Sequence, residues 1–118
     1  MPSMIELNLS YPPSANSIWR RAGKHIHLSK QYTTWKREAG WQVIAQKAGA
    51  IRGPYKIQIN AVRPDKRRRD LGNLLKATED LLVSVGVIDD DSKAEMISMR
   101  WVTTGEGIHI RIEPAGVE

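Results

Sequence analysis

The chain has 118 residues, enough for one domain with a buried core, and no cysteine, which excludes disulfides and thiolate metal sites. Its 18 Lys and Arg stand against 13 Asp and Glu, a net charge of +5, and such a balance favours a polyanionic partner, nucleic acid above all. No apolar run is long enough for a membrane span, and MPSMIELNLS lacks the basic-then-apolar profile of a secretion signal, so a cytoplasmic chain with no membrane partner is expected.

Residues 4–9, MIELNL, alternate apolar and polar as a half-buried strand does. YPPSANS, 11–17, is a turn-rich connection, because Pro12 and Pro13 lack amide donors and Ser and Asn favour turns. HIHL, 25–28, reads as a short strand of a hairpin. Ser29 is an N-cap candidate for a helix over roughly 30–48, with Tyr32, Trp35, Ala39 and Val43 at helical spacing and Gly49 as its stop. YKIQINAV, 55–62, alternates again and is a strand.

RPDKRRR then forms a polar connection, in which Lys66, Arg67, Arg68 and Arg69 are contiguous and Arg63 lies just before them. Asp70 opens a second helix that runs to about Val85 and closes at Gly86. Its apolar stripe is Leu71, Leu74, Leu75, Thr78, Leu82 and Val85, with Leu81 alongside. VIDDDS is a turn. Residues 93–102 and 107–112 read as two strands joined through Gly105-Glu106-Gly107 as a hairpin. The expected fold class is therefore α+β: one small domain over 1–118, a mixed or antiparallel sheet and two main helices.

Three groups of residues can carry chemistry. Asp70 stands where a helix N-cap is wanted, and its carboxylate complements the helix dipole whatever else it does. Asn73 and Lys76 follow at steps of three, which brings an acid, an amide and an amine to the side of the helix opposite the leucines. Asp89, Asp90 and Asp91 repel one another; as a solvated turn they need no further purpose, whereas a hard divalent cation would reverse their energetics. The histidines, His25, His27 and His109, lack a carboxylate at ligand spacing and read as structural. So do Trp35 and Trp41, as residues of the core or of a subunit interface, and Met96 and Met99, as packing residues of a strand. Trp19 lies beside Arg20 and Arg21 after the Pro/Ser/Asn loop and is a candidate to stack on nucleic acid.

Taken in order, YPPSANSIWR, HIHLS, RPDKRRRDLGNLLKATEDLL and GVIDDDS resemble the RusA-type Holliday-junction resolvases along essentially the whole chain. That family's hallmark is an arginine-rich approach to Asp-Leu-Asp-Asn, a lysine three residues on, and an Asp-Asp pair after a helix-ending glycine. The resemblance implies a homodimer that cuts four-way junction DNA symmetrically with Mg²⁺, or Mn²⁺, as cofactor. It implies metal-ligand roles for Asp70 and Asp91, with Asp90 the other member of the acidic pair and the choice between Asp90 and Asp91 open. It makes Lys76 the family's important lysine and Asn73 its motif asparagine. Lys66, Arg67, Arg68, Arg69, Arg20 and Trp19 are then the expected DNA contacts, together with Asn73 and Lys76.

One position departs from the pattern. Gly72 stands where the family has its second aspartate, at a helical site where glycine costs about 1 kcal/mol relative to alanine. A single base change converts an aspartate codon to glycine, so Gly72 reads as a lost ligand. Two functions follow: a resolvase reduced or disabled by that loss, or an inactive protein that still binds junctions. A generic basic nucleic-acid-binding domain is the third reading, and the ordered motif argues against it.

Overall fold

The computed structural model describes residues 4–13, 19–22, 25–28, 30–66 and 69–115, with the backbone alone described for 19–22 and 25–28. Strand β1 (Ile5–Leu9) is followed by a two-stranded ribbon, β2 (Trp19–Ala22) and β3 (His25–Leu28). Helix α1 (Lys30–Ala45), strand β4 (Tyr55–Val62), helix α2 (Leu71–Ser84) and strands β5 (Ala94–Val102) and β6 (Ile108–Pro114) complete the order, with a single 3-10 turn at Asp91–Lys93 leading into β5. This is the α+β class.

Alternation in the strands fixes the layers. In β1, β4 and β6 every second side chain is buried: Ile5, Leu7 and Leu9; Tyr55, Ile57, Ile59 and Ala61; Ile108, Ile110 and Ile112. These form one continuous core with Tyr32, Trp35, Ala39 and Val43 of α1 and Leu74, Ala77, Leu81 and Leu82 of α2. The intervening strand residues, among them Lys56, Gln58, Asn60, His109 and Arg111, are only half-buried or exposed and make a polar second face. No helix among the described residues is long and apolar enough to cross a membrane.

The sheet runs β1-β6-β4-β5, with β5 parallel to β4 and the other pairs antiparallel. The expected hairpin between the last two strands is therefore incorrect. β6 enters between β1 and β4, pairing Ile112 with both Ile5 and Ile57, while β5 lies beyond β4. The connection must cross the end of β4, and Gly107 makes that crossing possible. A Cβ there would lie 2.3 Å from the Leu9 carbonyl oxygen, and its own carbonyl accepts from the Val62 amide at 3.0 Å.

Other boundaries moved for local reasons. Helix α1 ends at Ala45, before Gly49, because Lys47 turns the chain with a φ of 54°. Ser29, its expected cap, lies outside the described residues. Trp35 is buried in the core, whereas Trp41 is 65% exposed and is not a core residue; Met96, expected to pack within its strand, is 56% exposed. β1 is an edge strand whose outward backbone groups are met from the end of α1: Gln46, just past the helix, bonds both the amide and the carbonyl of Asn8, and Gln42 accepts from the amide of Ser10, the residue after the strand. Such cover removes an edge open to aggregation.

Candidate active site

The crossover β4–α2–β5 carries every acidic residue of interest, and its two ends are built differently. At the entry Asp70 adopts an extended backbone and caps α2: its Oδ1 accepts from the Gly72 amide at 2.7 Å, and its carbonyl accepts from Leu74 at 3.2 Å. A carboxylate has a second oxygen, so capping and cation binding are compatible uses of this exposed side chain. Asn73 and Lys76 are also exposed, as helical spacing requires. The Lys76 ammonium is 3.5 Å from Asp80 Oδ1, a surface pair worth only tenths of a kcal/mol, about 0.3–0.5.

At the exit the three consecutive aspartates separate into different roles. Asp89 is a structural clamp, accepting from Arg52 and from the Gly53 amide at 2.8 Å each, with Lys93 at 3.5 Å. The Gly53 amide first, and the Arg52 guanidinium second, hold its pKa below the usual carboxylate value. Asp90 accepts from the Ser92 hydroxyl, and that bond lowers its pKa as well. Asp91 opens the 3-10 turn, and its charge acts on a buried pair that the sequence reading missed.

That pair is Tyr55 of β4 and Glu79 of α2. The Tyr55 hydroxyl donates to Glu79 Oε2 at 2.9 Å, and Glu79 is only 6% exposed. Burial pushes the Glu79 carboxyl pKa up; Tyr55 pulls it down, Asp91 and Asp80 raise it further, and Lys76 lowers it. Burial likewise raises the Tyr55 hydroxyl pKa strongly, assisted by Glu79 and then by Asp91 and Asp90. Lys76, Glu79, Asp80 and Asp91 thus share one electrostatic neighbourhood beside the middle of α2. Helical arithmetic offered the signal: position 79 is four after Leu75 and three before Leu82, on the apolar stripe.

Among the described residues no three acidic or histidine side chains converge closely enough to hold one ion. The chemistry of the donors, hard carboxylate oxygens, is of the kind that suits a divalent cation. Every candidate ligand is a carboxylate, and the Asp70 cap uses only one oxygen. Gly72 adds nothing. It is exposed, and a Cβ built there meets only Asp70 Oδ1, at 3.2 Å, so neither crowding nor backbone conformation demands glycine.

The cations also divide. Arg63 and Lys66 are exposed, whereas Arg67 and Arg68 lie outside the described residues. Arg69, expected to reach DNA, is instead turned inward. Its side chain is 9% exposed, bonded to Asp65 Oδ2 at 2.9 Å, and set against the Tyr11 ring. A planar guanidinium favours such combined stacking and forked bonding. Trp19 and Arg20 fall on β2, where side chains are outside the described set.

Comparison with known proteins accords with this layout. Residues 10–113 match the family model of endodeoxyribonuclease RusA. The chain is 36% identical over 91 residues to the crossover junction endodeoxyribonuclease of Enterobacteria phage HK97, covering 75% of each. It is 32% identical over 115 residues to that of Aquifex aeolicus, covering 93% of this chain and 91% of the relative. With the Escherichia coli K12 enzyme it shares 32% over 118 residues, 95% of this chain and 96% of the relative. The chain belongs to the RusA family of endodeoxyribonucleases.

Proposed function

We propose that this chain is a Holliday-junction resolvase of the cytoplasm, a homodimer that nicks four-way DNA junctions with Mg²⁺ or Mn²⁺, and that Gly72 limits its cleavage. The observation that carries the reading is the layout of the β4–α2–β5 crossover in a chain of this family. A cationic segment leads into Asp70, and after the helix the 3-10 turn headed by Asp91 packs back against α2 beside Glu79.

Each side chain has a distinct task. Lys66, Arg67 and Arg68 meet phosphates, and their charge offsets repulsion between the DNA and the carboxylates. Asp70, preset by its cap, and Asp91, at the head of the 3-10 turn, are the proposed cation ligands. Asp90 contributes less, because Ser92 already engages it. A bound divalent ion would neutralise phosphate charge and lower the pKa of an attacking water. Lys76 is free to swing from Asp80 to the charge that builds on the phosphate oxygens, and exposed Asn73 can donate to the backbone. Trp19 and Arg20 are proposed as further contacts to the DNA branch.

Two sites related by a dyad would match the two-fold symmetry of a junction. Support for an interface comes from apolar side chains left in water: Trp41 and Ile44 on α1, and Met96 and Ile97 on β5. The second reading, a junction binder without cleavage, is favoured by the finding that no three acidic or histidine side chains among the described residues are placed to hold one ion.

The test is a titration of the intact protein with a synthetic four-way junction and with linear duplex of equal length, followed by Mg²⁺ or Mn²⁺. Preference for the junction, with symmetric nicks that an Asp70→Asn variant does not produce, supports the resolvase. Preference without nicks supports the binder. Equal affinity for both DNAs contradicts both.

A further inference from the structure

Away from the carboxylates, the structure gathers four side chains from three parts of the chain. Tyr11 follows β1, Trp101 is near the end of β5, and Arg63 and Arg69 bracket the cationic segment. The two rings stack, with centres 6.3 Å apart and planes 17° from parallel. The Arg63 guanidinium carbon is 4.3 Å from the centre of the Trp101 ring, and that of Arg69 is 5.6 Å from the centre of Tyr11. Both cations act on the Tyr11 hydroxyl, lowering a pKa that burial raises.

Tyr11 is itself anchored to the core. The preceding residue, Ser10, accepts from the buried Trp35 indole at 2.9 Å and donates its amide to Gln42 at 3.0 Å. Arg69 is drawn in at a cost: its Nε is buried without a partner, although Asp65 holds the far end of the guanidinium. A cation kept merely for solubility or for phosphate attraction would stay in water. Asp70 is the very next residue, so wherever Arg69 is held, the cap of α2 is held too.

We propose that Tyr11 and Trp101 are positioning residues of the DNA-cutting site. By holding Arg63 and Arg69 they fix both ends of the segment that carries Lys66, Arg67 and Arg68, and they set Asp70 at the head of α2. The proposal rests on the reading that this segment meets DNA phosphates. Arg63 and Arg69 then serve by holding the chain rather than by meeting phosphates, which separates the proposal from a simple basic patch.

The experiment uses the full chain with Trp101→Leu, Trp101→Tyr and Arg69→Lys, beside an Arg67→Ala/Arg68→Ala control. Backbone hydrogen exchange is measured without DNA, and four-way-junction affinity is measured at fixed salt without divalent metal. Trp101→Leu should speed exchange across 63–74 about tenfold while β4 and β6 amides keep their protection. Its junction affinity should fall about fivefold, and Trp101→Tyr should restore both readouts. Arg69→Lys, which keeps the charge, should behave like Trp101→Leu. Should Trp101→Leu expose β4 as well, Arg69→Lys carries the test. Unchanged exchange at 63–74 would overturn the proposal. So would faster exchange with undiminished affinity while the Arg67/Arg68 control loses binding. If that control binds as the parent does, the DNA-facing reading of the segment fails, and the junction role of the pair fails with it, even where exchange shows that the pair holds the chain.

Discussion

The entry and the exit of α2 solve one problem by different physics. Each end carries a run of like charges, cations before Asp70 and carboxylates after Gly86, and in each run some members are bound to neighbouring parts of the chain. At the entry the holders are Arg63 and Arg69, stacked on Trp101 and Tyr11. At the exit the holders are Asp89 and Asp90, bound to Arg52, the Gly53 amide and Ser92. At the entry aromatic rings share the task with a single carboxylate, Asp65 on Arg69, whereas the exit clamp depends on carboxylates throughout. A charge run is therefore not a uniform patch. Under the proposed function, Lys66, Arg67 and Arg68 on one side and Asp91 on the other are the members assigned to DNA and metal.

The comparison breaks most visibly at the entry. Replacing Lys66, Arg67 and Arg68 by alanine should weaken junction binding by about tenfold or more at moderate salt and flatten the salt dependence by up to about three counterions. Gel-shift titrations at several salt concentrations read both quantities. An unchanged slope would mean that DNA is held elsewhere.

The next effect is at the buried pair beside the exit. Tyr55→Phe leaves Glu79 without its donor and should cost about 1–3 kcal/mol in urea unfolding at neutral pH. Glu79→Gln tests the sign of the charge. Because burial raises the carboxyl pKa, the folded state favours the neutral form, and stability present below the ordinary 4.5 is lost as pH rises through the raised value. The Gln variant should therefore gain on the parent between pH 4 and pH 8. A constant difference over that range would show that Glu79 is not strained by its ionisation.

How much of this was legible in the sequence depends on whether the cause was local. Strand 55–62 and the start of α2 were readable because alternation and an N-cap are properties of neighbouring residues. The place of β6 between β1 and β4 was not, since period-two patterning says which face is buried and nothing about which strand pairs. The end of α1 was misplaced because Lys47, a residue with no special preference for the left-handed region, adopts it. Asp89, Asp90 and Asp91 are chemically identical, and only their tertiary partners distinguish a clamp from a candidate ligand. The stacked pair, Tyr11 with Trp101, joins positions far apart in the chain and left no local trace.

A smaller effect sharpens the exit side. Asp89 has a lowered pKa, so it contributes stability above the ordinary 3.8 that is lost as pH falls through its depressed value. Asp89→Asn should be less stable than the parent at pH 7, with the gap closing below about pH 3.8 in acid-denaturation curves. A gap that persists in acid would show that hydrogen bonding alone, without charge, makes the clamp.

The central proposal is that Asp70 and Asp91 serve a cation site short of one ligand at Gly72. A restored side chain has room: its Cβ would press only on Asp70 Oδ1, at 3.2 Å, which a small rotation of that carboxylate relieves. The most direct measurement is cleavage of a labelled four-way junction in Mg²⁺ by Gly72→Asp beside the parent. Paired symmetric nicks, at a rate at least about a hundredfold above the parent, are expected from a supplied metal ligand. Equal cleavage by the two proteins, or none from either despite tight junction binding, would contradict the claim.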